Sequence, residues 1–153
     1  MAELKVGELA PEFTLETQAG EPWSLAEQVQ QGSVVLFFYP KDNTRVCTAE
    51  ACQFRDSHAV FVEHGATVVG ISSDSVASHQ AFAGKHALEY VLLSDPGGRV
   101  RAQFGIKKAL GLIDGRVTFV IDRERRVQHV FSSMLNAGAH VEEALATVKR
   151  LNG

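Results

Sequence analysis

The densest run of reactive side chains is Pro40-Lys41-Asp42-Asn43-Thr44-Arg45-Val46-Cys47-Thr48-Ala49-Glu50-Ala51-Cys52, and it holds both of the chain's cysteines. A cysteine in the first turn of a helix lies among unpaired backbone N–H groups at the positive end of the helix dipole, which favours thiolate over thiol. Cys47 is thereby a candidate nucleophile. Thr44, three residues earlier, offers a hydroxyl toward that sulfur or toward an oxygen bound beside it, and Pro40 fixes how the loop leaves the preceding strand. Each residue also has a plainer reading. Cys47 suits a buried small hydrophobe, Thr44 a helix cap, Glu50 a partner of the helix dipole, and Arg116 a surface cation before a strand. Histidines 58, 64, 79, 86, 129 and 140 show no metal-ligand spacing, so a zinc site built on the two cysteines is not expected.

The elements that must position these residues follow from periodicity. Ser33 to Tyr39 is a continuous apolar run, the pattern of a strand buried on both faces, and Pro40 stops it. Apolar residues then recur at helical steps from about Thr48 to His64, with Gly65 as the stop. Thr67 to Ser72 reads as a second buried strand, Val76 to His86 as a helix capped by Asp74 or Ser75, Tyr90 to Leu93 as a short strand, and Pro96 as the start of a short helix. Phe13 to Leu15 and Trp23 flank a turn and predict a small N-terminal hairpin. Val117 to Ile121 and Val127 to Phe131 predict a second hairpin through Asp122 to Arg126, where Arg123, Arg125 and Arg126 read as a solvated turn, and His140 to Leu151 predicts a final helix. Alternating βαβ followed by an antiparallel βα unit implies an α/β fold, a central mixed sheet flanked by helices.

Composition bounds the rest. The chain has 153 residues, 45% hydrophobic and 22% charged, which suits one domain spanning residues 1–153. With 15 Lys+Arg against 18 Asp+Glu the net charge is −3, so no basic surplus points to nucleic acid or an anionic membrane. No apolar run approaches the length of a spanning helix, and the first residues lack a signal peptide's apolar core, so a cytoplasmic protein is expected.

The stretch resembles the active-site motif of the peroxiredoxins, P-x-x-x-T-x-x-C, which Pro40, Thr44 and Cys47 match in register. The run F-Y-P-K-D…C-T-x-E-A-C-x-F-R-D, from Phe38 to Asp56, is similar to the peroxiredoxin Q or bacterioferritin comigratory type. Gly7 to Phe13 looks like that family's opening and Gly115 to Asp122 like its late strand; Phe104 to Arg116 reads as a shorter form, L-G-L…G-R-V-T. The resemblance implies a thioredoxin-like fold with an N-terminal β-hairpin extension and no cofactor. It also implies that Cys47 is the peroxidatic cysteine, Cys52 the resolving one, Thr44 the hydroxyl that orients peroxide, and Arg116 the guanidinium beside the thiolate, held by Glu50. One position departs: Arg45 stands where the family usually has proline, which restores a backbone N–H and adds a charge near the sulfur.

The chemistry so implied is a displacement at oxygen, with charge developing on the leaving hydroxide or alkoxide. It needs donors, which Thr44, Arg116 and the amides of Val46 and Cys47 are placed to supply. A second thiol must then trap the sulfenic acid before it over-oxidises. The expected partners are a hydroperoxide and a thioredoxin-type reductant, and the expected state is a monomer, with a weak homodimer as the alternative. The runner-up function is a thioredoxin-like redox sensor or interaction module with little turnover. Disulfide exchange on other proteins is disfavoured because C-x-x-C is absent.

Overall fold

The computed structural model describes residues 3–108 and 114–152, so Leu110-Gly111-Leu112 of the short-segment reading lies outside the described residues. The order is β1 (Thr14–Thr17), β2 (Pro22–Ser24), α1 (Leu25–Val29), β3 (Ser33–Phe38), α2 (Arg45–Glu63), β4 (Ala66–Ser72), α3 (Val76–His86) and β5 (Val91–Ser94). A 3-10 turn at Pro96–Gly98 then leads to α4 (Arg99–Gln103), β6 (Val117–Ile121), β7 (Val127–Ser132) and α5 (Ala137–Asn152). The strands form one sheet in the order β2-β1-β5-β4-β3-β6-β7. Strand β4 runs parallel to β3 and β5, and the other pairs are antiparallel. This is the expected mixed sheet, extended by the expected N-terminal hairpin.

Parity along β3 sorts the core into two layers, because successive side chains point to opposite faces. Val34, Leu36 and Phe38 join Phe13, Trp23, Leu25, Val100, Phe104 and Phe119 on one face. Val35, Phe37 and Tyr39 join Cys47, Ala51, Phe54 and Phe61 of α2, Phe82 of α3, and Val141, Ala144 and Val148 of α5 on the other. Phe37 stacks on Phe54 with ring centroids 4.5 Å apart, which fixes α2 against the sheet. Gly70 of β4 leaves room for that ring: a Cβ there would lie 2.7 Å from it.

Helix boundaries differ from the periodicity reading for local reasons. α2 starts at Arg45, three residues earlier than expected, because Thr44 has the extended backbone of a helix cap. α5 starts at Ala137 instead of His140; Asn136 Oδ1 accepts the Ala139 N–H, and Ala-Gly-Ala carries no apolar stripe to reveal that first turn. α1 has no counterpart in the periodicity reading. It has five residues, too few to show a period, and Ser24 caps it by accepting from Glu27 N–H. Arg125 and Arg126 do more than face solvent: they donate to the carbonyls of Ala10 and Gly7 and tie down the N-terminal segment.

Candidate active site

Strand β6 is antiparallel to β3, with Val117 opposite Phe38, so Arg116 enters the sheet beside the point where β3 leaves for its loop. α2 begins five residues after that loop opens. Cys47 and Glu50, three residues apart on one helical face, both turn inward. Arg116 collects them: Nη2 lies 3.1 Å from Cys47 Sγ, Nη1 lies 2.5 Å from Glu50 Oε1, and Nε donates to the Met134 carbonyl at 3.0 Å. Cys47 is 1% exposed, Glu50 0% and Arg116 3%. A buried guanidinium in contact with sulfur is an arrangement that stabilises negative charge there and on an atom bonded to it.

The first intrahelical bond of α2 runs from Thr48 N–H to Thr44 O at 2.8 Å, which leaves the amides of Arg45, Val46 and Cys47 as the unpaired donors of the first turn. Thr44 is exposed, and its hydroxyl donates to the Lys41 carbonyl at 2.8 Å, so it neither caps the helix nor points at the sulfur. Its proton is committed to the loop, and its lone pairs stay open to an oxygen bound beside the sulfur, the second of the two directions expected for it. Pro40 is half-buried at the loop's start, and Val46 lines an outer groove with Arg45, Ala49, Gln53 and Leu135. Cys52 is half-buried further along α2, and both cysteines are free thiols. The hydroxyl of Tyr90 donates to Ala51 O at 2.7 Å, pinning the helix between them.

Glu50 is the electrostatic anomaly. Burial pushes its carboxyl up to about 7, only partly offset by the charge and hydrogen bond of Arg116. Its Oε2 is buried without a hydrogen-bond partner. His140 Nδ1 sits 3.6 Å away, but it is the lone-pair nitrogen: His140 Nε2 faces the Ser133 carbonyl at 2.7 Å, and Thr118 Oγ1 lies 2.8 Å from Nδ1. Burial lowers His140 to about 4, against the Ser133 hydrogen bond, so the ring is neutral.

Three groups are invisible in the sequence. Asp42, His79 and Arg101 are buried polar or charged side chains. Asp42 accepts from the Tyr39 and Ser78 hydroxyls at 2.6 and 2.8 Å, and lies 2.7 Å from His79 Nδ1. Arg101 donates to the carbonyls of Tyr39 and Gly115 at 2.7 and 2.5 Å, bridging the residues that precede Pro40 and Arg116. The parallel β3–β4 pair is the available signal for Asp42 and His79, since loops leaving the C-terminal ends of adjacent parallel strands converge. Arg101 has none. Among the described residues the one cluster close enough to share a metal ion is Asp42, Asp74 and His79, and neither cysteine belongs to it.

The model of the AhpC/TSA family matches residues 6–130. The chain belongs to the AhpC/TSA family. Within it the chain is 44% identical to the chloroplastic peroxiredoxin Q of Arabidopsis thaliana over 149 residues, 97% of this chain and 68% of that protein. The crystal structure of peroxidoxin BcpB from Mycobacterium tuberculosis superposes with a TM-score of 0.92 at 44% identity, covering 99% of this chain and all of that one. A bacterioferritin comigratory protein from Xanthomonas campestris, whose structures concern alkyl peroxide reduction, gives 0.86 at 27% identity, with both chains fully covered. The family match and these relatives together make the fold thioredoxin-like and the chain a peroxiredoxin of the Q type, a thiol-dependent peroxidase. No helix among the described residues is long and apolar enough to cross a membrane.

Proposed function

We propose that Cys47 is the thiolate that reduces hydrogen peroxide and organic hydroperoxides, and that Cys52 resolves the product. The observation that carries this is the Arg116 guanidinium 3.1 Å from Cys47 Sγ at the start of α2. Sulfur attacks the nearer peroxide oxygen, the O–O bond breaks, and the leaving oxygen departs as hydroxide or alkoxide and is protonated. Arg116 and the free amides of Val46 and Cys47 stabilise the charge in motion. Thr44, with its proton on Lys41 O, accepts the peroxide's O–H and so orients it. Pro40 sets the loop that holds Thr44, and Glu50 holds Arg116.

Cys52 then attacks the sulfenic sulfur, expelling water and forming the disulfide. In an intact helix, residues five apart advance about 7.5 Å and turn about 140°, which separates their Cα atoms by roughly 8.6 Å. A disulfide tolerates no more than about 6.8 Å. The turn from Thr48 to Ala51 therefore opens during the cycle, which also presents the disulfide to a reductant of the thioredoxin class. All of this happens within one helix, which supports a monomer acting without a cofactor, and the cytoplasm is the compartment where such a reductant keeps thiols reduced.

NADPH consumption with thioredoxin and thioredoxin reductase tests the reading, using hydrogen peroxide and a bulky hydroperoxide. Sustained turnover that disappears in Cys47→Ser is expected. A single oxidation without turnover, with Arg45 in the loop, would indicate a redox sensor instead.

A further inference from the structure

One guanidinium serves two acids. Arg116 Nη1 and Nη2 contact Glu50 Oε1 and Cys47 Sγ respectively, and all three side chains are nearly solvent-free. With Glu50 and Cys47 both ionised, the cluster would hold two negative charges against one positive in a poorly solvating interior, which is costly. The second oxygen of Glu50 shows where this is relieved. A carboxylate seeks donors at both oxygens, yet Oε2 is buried and has no partner. The groups around it supply none. His140 Nδ1 offers a lone pair, and the Thr118 hydroxyl beside it is spent on that nitrogen. Tyr90, which feels the charge of Glu50, donates its O–H to Ala51 O instead. Arg101, which feels both Cys47 and Arg116, is committed to two carbonyls.

Resting on the assignment of Cys47 as the peroxide-reducing thiolate, we infer that Glu50 is a positioning residue that stores a proton. It keeps the proton while Cys47 is a thiolate and releases it when Cys47 becomes the neutral sulfenic acid, so that Arg116 neutralises one anion at a time. The step balances: Cys47 thiolate, hydrogen peroxide and the Glu50 carboxylic acid give Cys47 sulfenic acid, water and the Glu50 carboxylate. The O–O bond breaks and an S–O bond forms. Sulfur loses two electrons, each peroxide oxygen gains one, one oxygen ending in the sulfenic acid and the other in water, and the proton lost by Glu50 matches the one gained by the leaving hydroxide. Arg116 stays charged and in place, now bound to Glu50 alone. The raised value of Glu50, about 7, agrees with a carboxyl that carries its proton in the reduced protein.

Infrared difference spectroscopy on Cys52→Ser, which stops at the sulfenic acid, reads this directly. Near pH 6, below the value of about 7, the reduced protein is expected to show the C=O stretch of a buried carboxylic acid. The band is absent from the Glu50→Gln version and disappears after one equivalent of hydrogen peroxide. The Cys47→Ser, Cys52→Ser protein, which has no thiolate, is expected to lose the band at a lower pH than the parent, giving a second route if the Gln variant folds poorly; the same titration of the band in both proteins would overturn the inference. In weak buffer the parent should take up no net proton on oxidation, whereas the Gln variant should take up one per sulfenic acid formed. A reduced protein without the band, or a band that survives while mass spectrometry shows Cys47 oxidised, overturns the inference and leaves the peroxidase reading standing. Failure of Cys47 to oxidise at all overturns both.

Discussion

Two buried carboxyls lie near the same loop, each with a histidine and a hydroxyl for company, and they are treated in opposite ways. Asp42 is saturated. Tyr39, Ser78 and His79 all bond to it, and the other nitrogen of His79 faces the Leu93 carbonyl at 2.8 Å. That ring is held between the Asp42 carboxyl and the Leu93 carbonyl, one at each nitrogen. Burial pushes the Asp42 carboxyl up, but the His79 and Tyr39 hydrogen bonds, the His79 charge and the Ser78 bond together hold it below the ordinary value. Glu50 has one good partner and one empty oxygen, its histidine is neutral, and burial wins. A completely bonded network rigidifies, whereas an incomplete one is poised to change its protonation or its fold. Asp42 thus anchors the loop before Cys47, while Glu50 sits in the turn that must open after it.

The contrast can be broken from either side. Asp42→Ala removes the acceptor that Tyr39, Ser78 and His79 share and should destabilise the reduced protein by about 1 to 3 kcal/mol or more in denaturant unfolding, as buried polar groups left without a partner do; an unchanged stability would mean the network anchors nothing. Arg116→Met should fold, yet slow peroxide reduction by roughly 10² to 10³ in stopped-flow measurements, as the loss of a donor aimed at developing charge does.

Thermal stability against pH sharpens the difference. Glu50, raised from 4.5 to about 7, holds a proton in the folded state that the unfolded chain releases, so its contribution falls as pH rises across that window. His140, lowered from 6.5 to about 4, is charged only in the unfolded chain, so its contribution rises across its own window. Each is worth about 3 kcal/mol at most, and in the parent they oppose each other. Glu50→Gln should therefore unmask a stability that climbs from about pH 4 to 6.5; a profile superimposable on the parent's would show that burial does not perturb Glu50. The smallest expected effects are at Thr44. Thr44→Val should cost on the order of 10² in the peroxide step by losing an orienting group, and Thr44→Ser, which keeps the hydroxyl, only a few-fold; equal rates for Val and wild type would make the hydroxyl a loop tie to Lys41.

Much of the fold is legible in the sequence alone. The unbroken run at Ser33, the paired β-rich runs at Val117 and Val127, and Ser75 before the Val76 helix each announce themselves through period, apolarity or a cap, and the sheet follows from their order. A motif singles out Cys47, Thr44, Glu50 and Arg116, and the structure brings Cys47, Glu50 and Arg116 into contact. What the sequence hides is the long-range chemistry. Nothing local marks Arg101 as buried, or His79 and His140 as neighbours of carboxyls 37 and 90 residues away along the chain, because those contacts arise only when α3 packs against the loop after β3 and α5 against α2. The direction of the Thr44 hydroxyl is likewise a matter of loop geometry, which residue type does not encode.

Amide hydrogen exchange, compared for the reduced protein and the disulfide form, tests the central claim most directly. With an intramolecular Cys47–Cys52 bond verified by mass spectrometry, the amides of residues 48–52 should lose protection while those of β3 and of α2 beyond residue 55 keep it. Equal protection of residues 48–52 in both forms would contradict the account, since it would mean the bond forms without the helix opening.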